Sequence, residues 1–103
     1  MKIPDKIKMS SQTINIVFKG RVLDEKNEYC HGIAYPSLNK IELSTLREDG
    51  RFISESMIAD TFMHEIFETI AANFGMDISH EQILCLTSAL LDVIRTNNLD
   101  FRK

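Results

Sequence analysis

Apolar and polar residues alternate in the first half of the chain, and apolar residues recur at intervals of four in the second. Residues 6–9 (KIKM) and 13–18 (TINIVF) both alternate, with Ile14, Ile16 and Phe18 on one face, and polar Ser10-Ser11 sits between them. This predicts an opening hairpin. Gly20 and the charged run 21–28 read as a solvated loop, after which residues 32–35 (GIAY) and 40–43 (KIEL) flank Pro36-Ser37-Leu38-Asn39 and predict a second hairpin. From residue 54 the period becomes helical. Ser54 caps, Glu55 suits the first turn, and Ile58, Phe62, Ile66, Ile70 and Phe74 trace one apolar face until Gly75, predicting a helix over 54–74. Ser79-His80-Glu81-Gln82 then has the form of a capping box, and Ile83, Leu84, Thr87, Leu90, Leu91 and Ile94 continue as an apolar stripe, predicting a second helix over 79–96. Cys85, amid that stripe, reads as a buried small hydrophobe, and Met57, Met63 and Met76 read as core filler. Strands first and helices after predict an α+β fold, a small N-terminal antiparallel sheet of two hairpins packed against two C-terminal helices.

A chain of 103 residues with 44% apolar content supports one core, so residues 1–103 read as a single domain. No run approaches the ~20 apolar residues of a membrane span, and the start, MKIPDKIKMSSQ, lacks a signal-peptide apolar stretch. The expectation is a soluble, cytoplasmic protein with no membrane partner and with Cys30 and Cys85 reduced. Residues 1–53 carry nine Lys/Arg and seven Asp/Glu, whereas residues 54–103 carry three and eight, so the net −3 is concentrated in the helical half. Two helices meeting at a glycine-containing turn admit a helix-turn-helix reading. The second helix offers Arg95 as its one permanent cation, which predicts no nucleic-acid partner.

The stretch Met63-His64-Glu65-Ile66-Phe67-Glu68 carries the candidate chemistry. Positions four apart stack on one helical face, so His64 and Glu68 can address a single ion, with Glu65 rotated by about 100° beside them. In the H-E-x-x-H motif two His bind zinc and the intervening Glu takes a proton from the activated water; here Glu68 replaces the second His. A carboxylate oxygen binds zinc at about the same distance as an imidazole nitrogen, so the replacement changes the ligand type and keeps coordination. His80 is the best third ligand, restoring a two-His, one-Glu inventory with a fourth position open. To reach the ion it must fold back across the turn 75–78, and crossed packing of the two helices is the expected means. Cys30 and His31 are rivals of which a strand could supply at most one. The residues alone leave a second reading open, in which the acids form a wet helix face and His80 merely starts a helix.

Three stretches, KIKMSSQTINIVF, GIAYPSLNKIELS and TFMHEIFETIAANFGMDISHEQILCLTSALLDVIRTN, together cover most of the chain and carry a resemblance. The sequence resembles the minimal zincin-type metallopeptidases of phages and mobile elements, related in outline to the ImmA/IrrE peptidases. The resemblance implies a zincin-like domain binding Zn2+ through His64, Glu68 and His80, with Glu65 as general base. The departure from the commoner motif lies at Glu68. Three functions follow for comparison. One is a zinc-dependent hydrolase that cleaves a peptide bond in a peptide or protein substrate, which could pair with an edge strand near Ile41–Leu43. Another is a non-catalytic binding protein of a phage or mobile element on the same scaffold, with zinc structural or absent. The third is the DNA reader that the charge argues against.

Overall fold

The computed structural model describes residues 2–99 and is an α+β fold, a mixed sheet with two helices. Strands β1 (Lys6–Met9) and β2 (Gln12–Lys19) form the opening hairpin, paired antiparallel with Met9 opposite Gln12 across the two-residue turn Ser10-Ser11. Strands β3 (Val22–Leu23) and β4 (Tyr29–Cys30) make a short separate ribbon. Strands β5 (Gly32–Tyr35) and β6 (Lys40–Ser44) form the second hairpin around a 3-10 turn at Pro36–Leu38, closed by Asn39 in the left-handed region at φ 50°. Helices α1 (Glu55–Asn73) and α2 (His80–Thr96) follow.

The four main strands run in the order β1-β2-β6-β5, and β2 and β6 pair in parallel with Ile16 opposite Ile41 and Phe18 opposite Leu43. The expected purely antiparallel sheet is therefore corrected to a mixed one. Each hairpin places its second strand, which holds the fully buried residues, inward, and two hairpins oriented alike then meet through strands that run the same way. Ile14, Ile16, Ile41 and Leu43 project from one face and form the core with Phe62 of α1. On the opposite face Ser44 Oγ accepts from the Val22 N–H at 2.8 Å and donates to the Cys30 carbonyl at 2.6 Å, fastening the ribbon to the sheet. The run expected to be a solvated loop thus contains a fully buried Val22, and its charged residues after Arg21 are confined to a turn in which Asp24 Oδ1 accepts from the Lys26 and Glu28 N–H groups.

Both helices begin and end by side-chain and backbone logic readable in the sequence. Ser54 Oγ accepts from the Met57 N–H, and Ser79 and Gln82 form a reciprocal capping box. At the end of α1, Gly75 adopts φ 64° and the Met76 N–H reaches the Ala71 carbonyl at 2.9 Å, a Schellman closure that reverses the chain. Helix α1 lies between the sheet and α2. Ile83, Thr87 and Leu91 are the buried residues of α2, and Arg95 near its end pairs with Asp60 near the start of α1 at 2.7 Å, so the helices are antiparallel. Cys85 is exposed, contrary to expectation, and so are Phe74 and Met76, which lie at or beyond the helix end. Cys30 and Cys85 are both free thiols. No helix among the described residues is long and apolar enough to cross a membrane.

Strand β5 approaches α1 closely at Gly32. A Cβ there would lie 2.7 Å from Thr61 Cγ2, 3.1 Å from the Glu42 carbonyl oxygen and 3.2 Å from Leu43 Cδ2. Thr61 can turn aside, but the Glu42 backbone cannot. Gly32→Ala is accordingly expected to destabilise the fold by about 1–3 kcal/mol, read as a lower urea midpoint; an unchanged midpoint would show that β5 can shift away from α1 freely.

Candidate metal centre

Helix α1 presents His64 and Glu68 one turn apart on the side that faces the start of α2 and the outer edge of β5. The Gly75 reversal brings His80, first residue of α2, back over them. Glu68 Oε2 lies 3.9 Å from His64 Nε2 and 3.7 Å from His80 Nδ1, and the two imidazole rings stand 4.9 Å apart at 71°. One donor atom from each of the three residues falls within 4.8 Å of the others. These separations exceed hydrogen-bond length, so neither imidazole is tied to the carboxylate. A tetrahedral zinc with ligands at ~2.0–2.1 Å sets donor-to-donor distances of about 3.3 Å. Small side-chain rotations cover the difference, and exposed His80 is free to make them. In number and type the residues could hold a divalent ion of borderline softness, once the donors close up from separations of up to 4.8 Å.

Burial favours neutral His64, lowering its pKa against the opposing pull of the Glu68 charge, while a charge on His80 would lower it further. Neutral imidazole is the form that ligates a metal. Glu65, only 8% exposed, sits where the site meets the sheet. Burial first, and the Glu68 charge second, push its carboxyl up to about 7, with hydrogen bonding from the Ala34 backbone acting in the opposite direction. The four residues singled out in the sequence are thus brought together, His64, Glu68 and His80 as one donor set and Glu65 beside it. Of the rival ligands, His31 lines the adjoining cavity outside the donor set, and Cys30 belongs to the β3–β4 ribbon.

Two recesses flank the donor set. One, of about 390 Å³, runs along Gly32, Ile33, Ala34 and Pro36 past Glu65 and Glu68; the other, of about 360 Å³, lies between Gly32 on β5, Thr61 on α1 and Leu84, Thr87 and Ser88 on α2. Together they make a cleft with α1 as floor and β5 and α2 as walls. The expected docking edge near Ile41–Leu43 is corrected, because β6 is a central strand between β2 and β5. The open edge at this cleft belongs to β5. The Ser44 N–H bonds to the His31 carbonyl at 2.8 Å, and alternation along the ladder then directs the N–H and C=O groups of Gly32 and Ala34 outward. Neither residue carried a chemical signal in the sequence. Thr87 did carry one, as a polar residue inside an apolar stripe. No family model, curated protein or solved structure matches this chain.

Proposed function

We propose that the chain is a minimal zinc-dependent peptidase in which His64, Glu68 and His80 hold the ion and Glu65 is the general base. The observation that carries this reading is the convergence of the three-donor set with a buried carboxyl at the floor of a cleft whose wall is an open strand edge. Bound zinc supplies Lewis acidity toward a peptide carbonyl and toward water. The outward backbone groups of β5 that Glu65 leaves free, which exclude the Ala34 N–H, orient an extended substrate by main-chain pairing. Glu65 accepts the proton of the attacking water and, close to neutral pH, can return it to the leaving amine. Protein purified without added metal is expected to hold one zinc per chain by elemental analysis, and chelation is expected to lower its melting temperature. Absence of stoichiometric zinc, together with added zinc that neither binds nor stabilises, would refute the reading.

One observation favours a second reading, a phage or mobile-element binding protein on this scaffold. Leu86, Leu90 and Val93 are exposed along one flank of α2, an apolar strip suited to a protein partner. Zinc bound with full stoichiometry, but no cleavage of any peptide library, would select it.

A further inference from the structure

Among the described residues, two buried side-chain polar atoms have no hydrogen-bond partner, His64 Nδ1 and Thr87 Oγ1. They come from different helices, and both residues line the 360 Å³ recess between β5, α1 and α2. Helical threonines ordinarily satisfy their hydroxyl on the carbonyl four residues back. Thr61 does so to Met57 at 3.1 Å and Thr69 to Glu65 at 2.8 Å. Thr87, 5% exposed, does not. Gly32, Thr61, Leu84 and Ser88 make the small and apolar part of the lining, His31, His80 and the buried Glu65 carboxyl complete it, no Lys or Arg contributes, and the rim acid Asp60 is held by Arg95 at 2.7 Å. Unmet hydrogen-bonding capacity in an otherwise finished interior marks a place where a ligand completes the structure.

We infer that this recess is a side-chain pocket of the cleft and that Thr87 is its specificity-determining residue, selecting an uncharged amide side chain, glutamine or asparagine. A primary amide carries both a donor and an acceptor. It can pair with both orphan atoms, since the Thr87 hydroxyl donates or accepts and His64 Nδ1 accepts in the metal-free protein and donates when Nε2 holds zinc, whereas leucine of similar size leaves both unpaired and glutamate adds a further acid beside Glu65 and Glu68. The two favoured χ1 rotamers of a helical threonine let the hydroxyl follow the entering group. The identity of the ligand as a peptide rests on the peptidase reading; the pocket itself is tested without metal or turnover.

The test is a nuclear magnetic resonance titration of the full chain in chelator with blocked tetrapeptides that differ only in a central Gln, Leu or Glu. The Gln peptide is expected to shift the backbone amides of Gly32, Thr61, Thr87 and Ser88 and to bind roughly 3- to 10-fold more tightly than the Leu peptide, with the Glu peptide weakest. Thr87→Val should abolish the preference for Gln over Leu and raise the melting temperature, because the hydroxyl it removes has no partner; Thr87→Ser should keep the preference. Equal affinities, no shifts at these four amides, or a Thr87→Val protein that is destabilised or still prefers Gln would overturn the inference. Since no zinc is present, this outcome is independent of whether the donor set binds metal.

Discussion

Replacing His80 by alanine is expected to weaken zinc binding by more than ~10²-fold, beyond the range of an outer-shell partner. The same is expected of Glu68→Ala, because each change leaves two protein donors where three converge. Glu68→His is the informative partner to these. It recreates H-E-x-x-H on the same helical face and should retain the ion, since position 68 stays one turn from His64 and within reach of His80. If Glu68 were only a solvated acid and His80 only the first residue of a helix, their replacement would change stability by tenths of a kcal/mol and zinc affinity not at all. Zinc titration of the three variants against the parent separates the cases, and four equal affinities would dissolve the site.

Glu65→Gln is expected to lower peptide hydrolysis by at least ~10²-fold while zinc stays bound, since the amide cannot take the proton. The same substitution should make the metal-free protein more stable. The folded state holds the Glu65 carboxyl at about 7 against an ordinary value of 4.5, because burial disfavours its charged form. A folded-state value above the unfolded one contributes stability that is fully present below pH 4.5 and is lost as pH rises through 7. Above pH 7 the ionised carboxylate burdens the metal-free fold by roughly 3 kcal/mol at most. Urea unfolding in chelator should therefore give nearly coincident curves for parent and Glu65→Gln at pH 4.5 and a more stable variant at pH 8. A variant less stable at pH 8, or one that has lost its zinc, would make Glu65 a structural acid or a ligand.

The helices were legible in the sequence almost to the residue because their ends are chemical. Ser54, Gly75 and the Ser79–Gln82 box each satisfy backbone groups that a helix end leaves open. Strand alternation was equally legible, but it reports which face a side chain occupies and nothing about which strand lies alongside. The parallel β2–β6 pairing and the central place of β6 were consequently out of reach. Two residues, Val22 and Leu23, are too few to show a period, so the ribbon passed for a loop. Cys85 was misplaced for a different reason. It stands two positions from both Ile83 and Thr87, and residues two apart on a helix do not share a face. At the site, His64 and Glu68 followed from the four-residue interval alone. His80 was legible as a missing ligand type, whereas its position depended on how the Gly75 reversal aims α2.

The Gly75 reversal also fixes the sequence separation of the donor set, which falls wholly within residues 64–80. Bringing those donors together closes a short loop between two helices that already pack locally, at little chain-entropy cost. The sheet is the opposite case, since Ile16 must find Ile41 across the intervening ribbon and hairpin. In contact-order terms the slow, non-local part of this topology is the β2–β6 seam, and the donor set belongs to the fast part. An ion held there would act as a clasp on that local helix pair, and if the pair forms early zinc should speed folding as well as slow unfolding.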